Sequence, residues 1–168
     1  TSIAPGGGGS FSATAGSLQF TAGSTINTSN LGMTAAQNIV LHAAGITGSN
    51  LQASAGFIDI NSTAGVGLGA LTAAGPINVD GAASITLASL LSSSGAIAVT
   101  STGVASDVTL GGNVQTTGNT LNVVAGRDIR IGSTSSLTTV GSGAITLTAA
   151  RDVDLKVNDG GATAASNS

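Results

Sequence analysis

Residues 58–79 read IDINSTAGVGLGALTAAGPINV, a stretch that begins with the apolar pair Ile58/Ile60 and ends with the next such pair, Ile77/Val79. The equivalent pairs along the chain are Leu18/Phe20, Ile39/Leu41, Ile58/Ile60, Ile77/Val79, Ile97/Val99, Leu121/Val123 and Ile145/Leu147. The successive differences between their first positions are 21, 19, 19, 20, 24 and 24. A period in this range predicts a solenoid, in which each repeat forms one coil.

Two further apolar series follow the first within each repeat. The second series lies eight residues after the first in five of seven repeats: Ile26, Ile46, Val66, Ile85, Val108, Ile129 and Val153. The third series follows five to eight residues later: Leu31, Leu51, Leu71, Leu90, Val114 and Leu137. We call these series the first, second and third columns. Three short apolar segments separated by small and turn-forming residues are typical of a parallel β-helix, since Gly accepts the backbone bends.

Segments such as Ile58-Asp59-Ile60 alternate apolar and polar residues, the pattern of a strand with one buried face. The sequence therefore predicts an all-β fold, a parallel β-helix with three short strands per coil and about seven coils of 19–24 residues. The shaft is expected over residues 16–157. Residues 1–15 form a partial coil or a Gly-rich lead-in, with Phe11 matching the third column, and residues 158–168 form a polar tail or a truncated next coil.

Composition favours a solenoid over a compact globule. The 168 residues include 26 Gly and three Phe but no Trp or Tyr, and the seven acidic residues are all Asp. Burial of Ala and Gly removes little apolar area from water, so a narrow core held by backbone hydrogen bonds between coils suits this chain better.

Charge and residue content exclude several function classes. The net charge is −3, and four basic residues do not make a patch that could neutralise nucleic-acid phosphates. No apolar run reaches the length of a membrane span, and we find no signal peptide, so we expect a mature segment or an excised piece. The absence of Cys rules out disulfides and fits a secreted protein, although many cytosolic proteins share it.

The sharpest motif lies in the last two repeats. Residues 143–155, GAITLTAARDVDL, follow the form G-x-I-x-L-x-A-x-x-D-I-x-L, and residues 125–129, AGRDI, repeat its centre. This motif resembles the shaft repeats of the filamentous-haemagglutinin family, large bacterial surface adhesins exported by two-partner secretion. The resemblance implies a right-handed shaft that is secreted or held at the bacterial surface, and it carries over no catalytic residues. The family's secretion motif, of the Asn-Pro-Asn-Gly type, does not occur here.

One corner of the predicted helix carries charge. Arg127 and Asp128 recur one repeat later as Arg151 and Asp152, so the two pairs should stack in adjacent coils. Like charges about 5 Å apart repel, and diagonal Arg–Asp pairing offsets this repulsion. These four residues are either a receptor-contact patch or a turn in which Asp accepts backbone hydrogen bonds while Arg is solvated.

The other polar candidates have weaker patterns. We expect five further aspartates to lie on solvated faces and turns: Asp59, Asp80, Asp107, Asp154 and Asp159. His42 directly follows the Ile39/Leu41 pair, has no carboxylate nearby in sequence, and should be an ordinary surface residue. We therefore expect no enzymatic activity, cofactor or metal.

Three functions remain open from sequence alone. The first is a rod segment of a large adhesin, which extends a binding tip and takes part in cell adhesion or aggregation, with neighbouring coils or a host-cell or bacterial surface ligand as partners. The second is an extracellular fibre subunit whose uncapped ends stack. The third is a β-helical polysaccharide-degrading domain, which the lack of Trp, Tyr and Glu argues against.

Overall fold

The computed structural model describes residues 9–28 and 31–155, which form two parallel β-sheets around one narrow core and contain no helix. Each strand pairs with the strand one coil earlier or later, and every such pairing among these residues is parallel. The fold is a parallel β-solenoid of about seven coils, as the sequence predicted.

The first column forms a seven-stranded sheet of its own. Its strands are Leu18–Thr21, Ile39–Ala43, Ile58–Ser62, Ile77–Gly81, Ile97–Ser101, Leu121–Ala125 and Ile145–Ala149. The first members of the predicted pairs lie opposite one another through the whole sheet, from Leu18 against Ile39 to Leu121 against Ile145. The sequence prediction for this column is confirmed in every coil.

The second and third columns share a twelve-stranded sheet. Its strands are Gly9–Ala13, Thr25–Thr28, Leu31–Ala35, Gly45–Gly48, Leu51–Ala53, Val66–Ala73, Ile85–Ser92, Val108–Leu110, Val114–Thr117, Asp128–Ile131, Leu137–Val140 and Asp152–Leu155. The predicted second column is in register in all seven coils. In two coils the second and third segments join without a break, in the eight-residue strands Val66–Ala73 and Ile85–Ser92.

The third column differs from the prediction at one position. Leu51 pairs with Met33 and not with Leu31, whose backbone partner is Gly9. Apolar residues two apart fit an alternating pattern equally well, so the pattern could not separate residues 31 and 33. Phe11 pairs with Met33, which confirms its predicted place in the third column. Residues 1–8 of the predicted lead-in lie outside the described residues, as do residues 156–168.

The core consists of aliphatic side chains stacked coil upon coil. Ile39, Ile58 and Ile97, which share one position of the first column, are fully buried. β-Branched and leucine side chains suit this arrangement because they fill a pleated surface with few rotamers. Exposure rises in the last described coil, where Ile145, Val153 and Leu155 become 36%, 41% and 45% exposed.

Asparagine side chains connect successive turns. Asn38 Oδ1 accepts a hydrogen bond from the Phe57 amide at 3.1 Å, and Asn50 Oδ1 accepts one from the Ala70 amide at 2.8 Å. Each asparagine oxygen lies against a glycine of the next coil, where a larger residue would collide with it. A Cβ atom at Gly69, for example, would lie 2.4 Å from Asn50 Oδ1. Phe57 lies just before the strand Ile58–Ser62, and Ala70 lies within the strand Val66–Ala73, at the gap between the two strands of the preceding coil that pair with it. The asparagine oxygens therefore accept from backbone amides that strand pairing with the preceding coil does not reach.

Candidate functional site

Three aspartates occupy one corner of consecutive coils. Asp107, Asp128 and Asp152 each stand immediately before the inward residue of the second column. Asp128 is the register partner of Asp152, and Val108 is the partner of Ile129, which places Asp107 in the same row. Carboxylates on adjacent strands lie only about 4.8 Å apart, so this row requires compensating positive charge.

Arginines from the following coil supply that charge. Arg127 donates through Nε and Nη2 to Asp107 Oδ1 and Oδ2 at 2.7 and 2.6 Å. Arg151 makes the same two-pronged contact with Asp128: its Nε donates to Oδ1 at 2.8 Å and its Nη2 donates to Oδ2. Such bidentate pairs are stronger and more directional than single contacts. The charges therefore pair diagonally between coils, in the way that the sequence suggested.

Arg130 joins the two pairs into one network. Its Nη1 donates to Asp107 Oδ2, and its Nη2 donates to Asp128 Oδ2 at 2.9 Å. At the outer end of the network, Arg151 Nε lies 3.3 Å from Asp152 Oδ2. The corner cluster consists of Asp107, Arg127, Asp128, Arg130, Arg151 and Asp152.

Within the corner cluster the inner aspartates are buried and the outer groups are exposed. The side chains of Asp107 and Asp128 are 9% and 3% exposed, whereas those of Arg151 and Asp152 are 60% and 69% exposed. Hydrogen bonds from Arg127 lower the pKa of Asp107 to about 2, against the opposing effect of desolvation. Arg151 in the same way lowers the pKa of Asp128, so both inner carboxylates are charged at neutral pH.

The four predicted corner residues come together, but not as one exposed patch. Asp128 is 3% exposed and accepts hydrogen bonds from the guanidinium groups of Arg130 and Arg151, where the turn interpretation expected backbone donors. Arg151 and Asp152 retain most of their surface. Beside them lies a cleft of about 440 Å³ whose lining residues are Asp128, Arg130, Arg151, Asp152, Val153 and Asp154.

Sequence reasoning missed two members of the corner cluster, Asp107 and Arg130. The prediction of a solvated face for Asp107 is wrong, because that carboxylate is buried under Arg127 and Arg130. A signal was present: Asp107 precedes its second-column residue just as Asp128 and Asp152 precede theirs. The irregular loop before Asp107 hid this equivalence, because it lengthens the first-to-second spacing to eleven residues in that coil.

A second polar group lies on the outer face of the first-column sheet. His42 Nε2 lies 3.2 Å from Asp59 Oδ2, so the histidine has a carboxylate partner one coil away. Asn78 Nδ2 donates to Asp59 Oδ1 and to Asp80 Oδ2, each at 3.0 Å. These are half-exposed contacts between outward positions, in agreement with the prediction of a surface location for His42.

The described residues contain no group of three or more His and Asp side chains arranged to hold a metal ion. Asp154 lies opposite Arg130 in the strand register, and Asp159 lies outside the described residues. Within the same part of the chain no helix is long and apolar enough to cross a membrane.

Comparison with protein-family models, curated proteins and solved structures gives no match to this chain. Its function must therefore be argued from the coil architecture and the corner cluster.

Proposed function

We propose that this chain is a structural rod segment of a large secreted or surface-attached bacterial adhesin, and that it extends a binding tip. The observation that carries the proposal is the unbroken parallel pairing of successive coils, from Leu18–Thr21 to Ile145–Ala149 in one sheet alone. Hydrogen bonds between coils run along the solenoid axis, so extension of the rod requires them to break. The family resemblance of residues 143–155 supports the adhesin assignment.

The corner cluster serves this role in two ways. Its inner ion pairs connect three successive coils, because Asp107, Asp128 and Arg151 belong to different coils and are joined through Arg127 and Arg130. Its outer groups are the accessible part of the cluster. We propose them as weak contact points for a ligand on a host-cell or bacterial surface.

An adhesion assay tests the contact role. Beads coated with the protein are applied to host or bacterial cells, and the bound fraction is compared between wild type, Asp152→Asn and a charge-matched control, Asp80→Asn, on the other sheet. We expect Asp152→Asn to reduce binding and Asp80→Asn to leave it unchanged. Equal binding by all three proteins would contradict the proposal that the outer groups contact a ligand. Polysaccharide turnover that is lost in Asp152→Ala would contradict the non-enzymatic part of the proposal.

Force spectroscopy tests the rod role. The protein is tethered by its two ends and extended, and a rod predicts stepwise release of lengths that correspond to whole coils. A single low-force extension without steps would contradict it.

A further inference from the structure

One turn of the solenoid is longer than its counterparts. The residues between the strands Ile97–Ser101 and Val108–Leu110 belong to neither strand, and we call residues 102–107 the long loop. The second column follows the first by eleven residues in this coil and by seven or eight in the others. The additional residues therefore have no counterparts to stack on in the coils before and after.

Both ends of the long loop are fixed to neighbouring coils. The Thr102 amide donates to the Gly81 carbonyl oxygen at 3.0 Å, and the Ser106 carbonyl oxygen accepts from the Arg127 amide at 2.9 Å. Gly81 belongs to the preceding coil and Arg127 to the following one, so the ends of the loop are attached on both sides.

The tip of the long loop is accessible. Val104 is 92% exposed, and Ala105 is exposed as well. In the part of the chain that the structure describes, neither residue makes a backbone hydrogen bond, and the tip is closed by the Ser106 amide and hydroxyl, which both donate to the Gly103 carbonyl oxygen. Exposed loop tips of small residues are preferred sites of proteolytic cleavage, because an extended segment can enter a proteinase cleft there after little local unfolding.

Other exposed apolar side chains lie on paired backbone. Leu91 and Val140 are 41% and 46% exposed, but they belong to the strands Ile85–Ser92 and Leu137–Val140. Both strands pair with strands of adjacent coils, so a proteinase could reach these residues only after that pairing is broken. Of these three residues, only Val104 lies where the backbone can enter a proteinase cleft without the loss of strand pairing.

From this geometry we propose that the long loop is a processing site, at which a serine proteinase with a small apolar specificity pocket hydrolyses the peptide bond between Val104 and Ala105. A valine side chain fits the small specificity pocket of an elastase. The C–N bond breaks, and water supplies the hydroxyl group of the new Val104 carboxyl group and one hydrogen of the new Ala105 amine.

Cleavage leaves the two parts of the chain associated. The strand Ile85–Ser92, before the cut, pairs with Val108–Leu110 and Val114–Thr117, which follow it. The strand Ile97–Ser101 pairs with Leu121–Ala125 across the cut in the same way. A cut rod therefore keeps its coils stacked, but hydrogen bonds and packing replace the covalent chain at this point. This step rests on the rod function: tension that extends an intact rod separates a cut one.

The test begins with limited digestion of the 168-residue protein by an elastase. Wild type is compared with Val104→Asp, whose charged side chain a small apolar pocket rejects, and with Val140→Asp, a control at an exposed valine within a strand. Mass spectrometry and N-terminal sequencing locate each cut, so that cuts within residues 1–8 or 156–168 are distinguished from a cut after Val104.

We expect the first cut within residues 9–155 to follow Val104 in wild type and in Val140→Asp. The rate of this cut should fall at least about tenfold in Val104→Asp, because an aspartate would lose its hydration in the apolar pocket. A first cut elsewhere in that range, no cut at all, or an equal rate in all three proteins overturns the processing site.

Size-exclusion chromatography and force spectroscopy test the second step. The fragments 1–104 and 105–168 should elute together in native buffer and separately in urea. A cut chain that is tethered by its two ends should detach under a force at which the intact chain extends and stays attached. Fragments that separate in native buffer, or a cut chain that never detaches, overturn this step. An intact chain that extends without coil-sized steps contradicts the rod function and leaves the digestion result unchanged.

Discussion

Gly126 is the position where the closeness of successive coils can be tested most directly. An ideal Cβ atom added there would lie 1.9 Å from the carbonyl oxygen of Gly103 in the coil below. Ordinary van der Waals contact begins at 3.4 Å, so Gly126→Ala requires a displacement of 3.4 − 1.9 = 1.5 Å against backbone. The φ angle of Gly126 lies outside the left-handed region, so the effect of Gly126→Ala is steric.

The magnitude follows from what this displacement breaks. Overpacking against backbone costs about 1–3 kcal/mol. The shift also separates the Arg127 amide from the Ser106 carbonyl oxygen, now 2.9 Å apart, and a lost hydrogen bond adds about 1 kcal/mol. We expect Gly126→Ala to lower the free energy of unfolding by about 2–4 kcal/mol, which lowers the Tm by roughly 4–16 °C for a domain of this size.

Gly16→Ala is the matched control, because nothing lies within 4 Å of a Cβ atom at that position and its φ is also outside the left-handed region. Alanine there restricts the unfolded chain and should leave stability unchanged or raise it by up to about 1 kcal/mol. Thermal and urea unfolding by circular dichroism measure both variants, and hydrogen exchange at the Arg127 amide reports the local opening. Equal stability of Gly126→Ala and wild type would refute the coil spacing described above.

Three further changes probe other parts of the solenoid. The Asp107 pKa of about 2 lies below its ordinary value of 3.8, so its ionised form stabilises the fold fully above pH 3.8. That contribution is lost as the pH falls from 3.8 towards 2. The Tm gap between wild type and Asp107→Asn should therefore narrow over that interval, and a constant gap would contradict the ion pair. Leu90→Ala should cost about 2–5 kcal/mol and Leu91→Ala less than about 1, since these neighbours are 1% and 41% exposed; equal losses of unfolding free energy would contradict their alternation. Gly69→Ala should cost about 1 kcal/mol more in wild type, where it displaces Asn50 Oδ1 from its backbone donor, than in an Asn50→Ala background, where the Ser49 backbone at 3.2 Å is the remaining close contact; a double-mutant cycle of urea unfolding measures this difference, and equal costs would contradict the asparagine contact.

The three columns show how much of the fold can be predicted from the local sequence pattern. The first and second columns were correctly placed in every coil because their apolar residues recur at similar offsets beside polar neighbours. The third column failed at Leu31 because Met33, two residues later, satisfies the same alternation. Register between coils decides such cases, and it depends on the length of the intervening turn.

In the corner cluster, too, the sequence revealed the repeat but not which side chains are buried. Arg127 and Arg151 were recognisable as a repeat, but the burial of Asp128 follows from the coil stacked over it. Asp107 and Arg130 belong to the cluster through a contact between different coils, and the eleven-residue spacing before Val108 hid the local signal, the place of Asp107 directly before its second-column residue.

Local pattern in the chain was enough to establish a parallel β-solenoid, because the period of about twenty residues and the two-residue alternation can be read directly from the order of the residues. Three outcomes depended on the tertiary structure: which strands merge, which residue of a candidate pair enters the core, and which charges are hidden. They depend on what the neighbouring coil places about 4.8 Å away, and that distance is set by hydrogen bonding between strands.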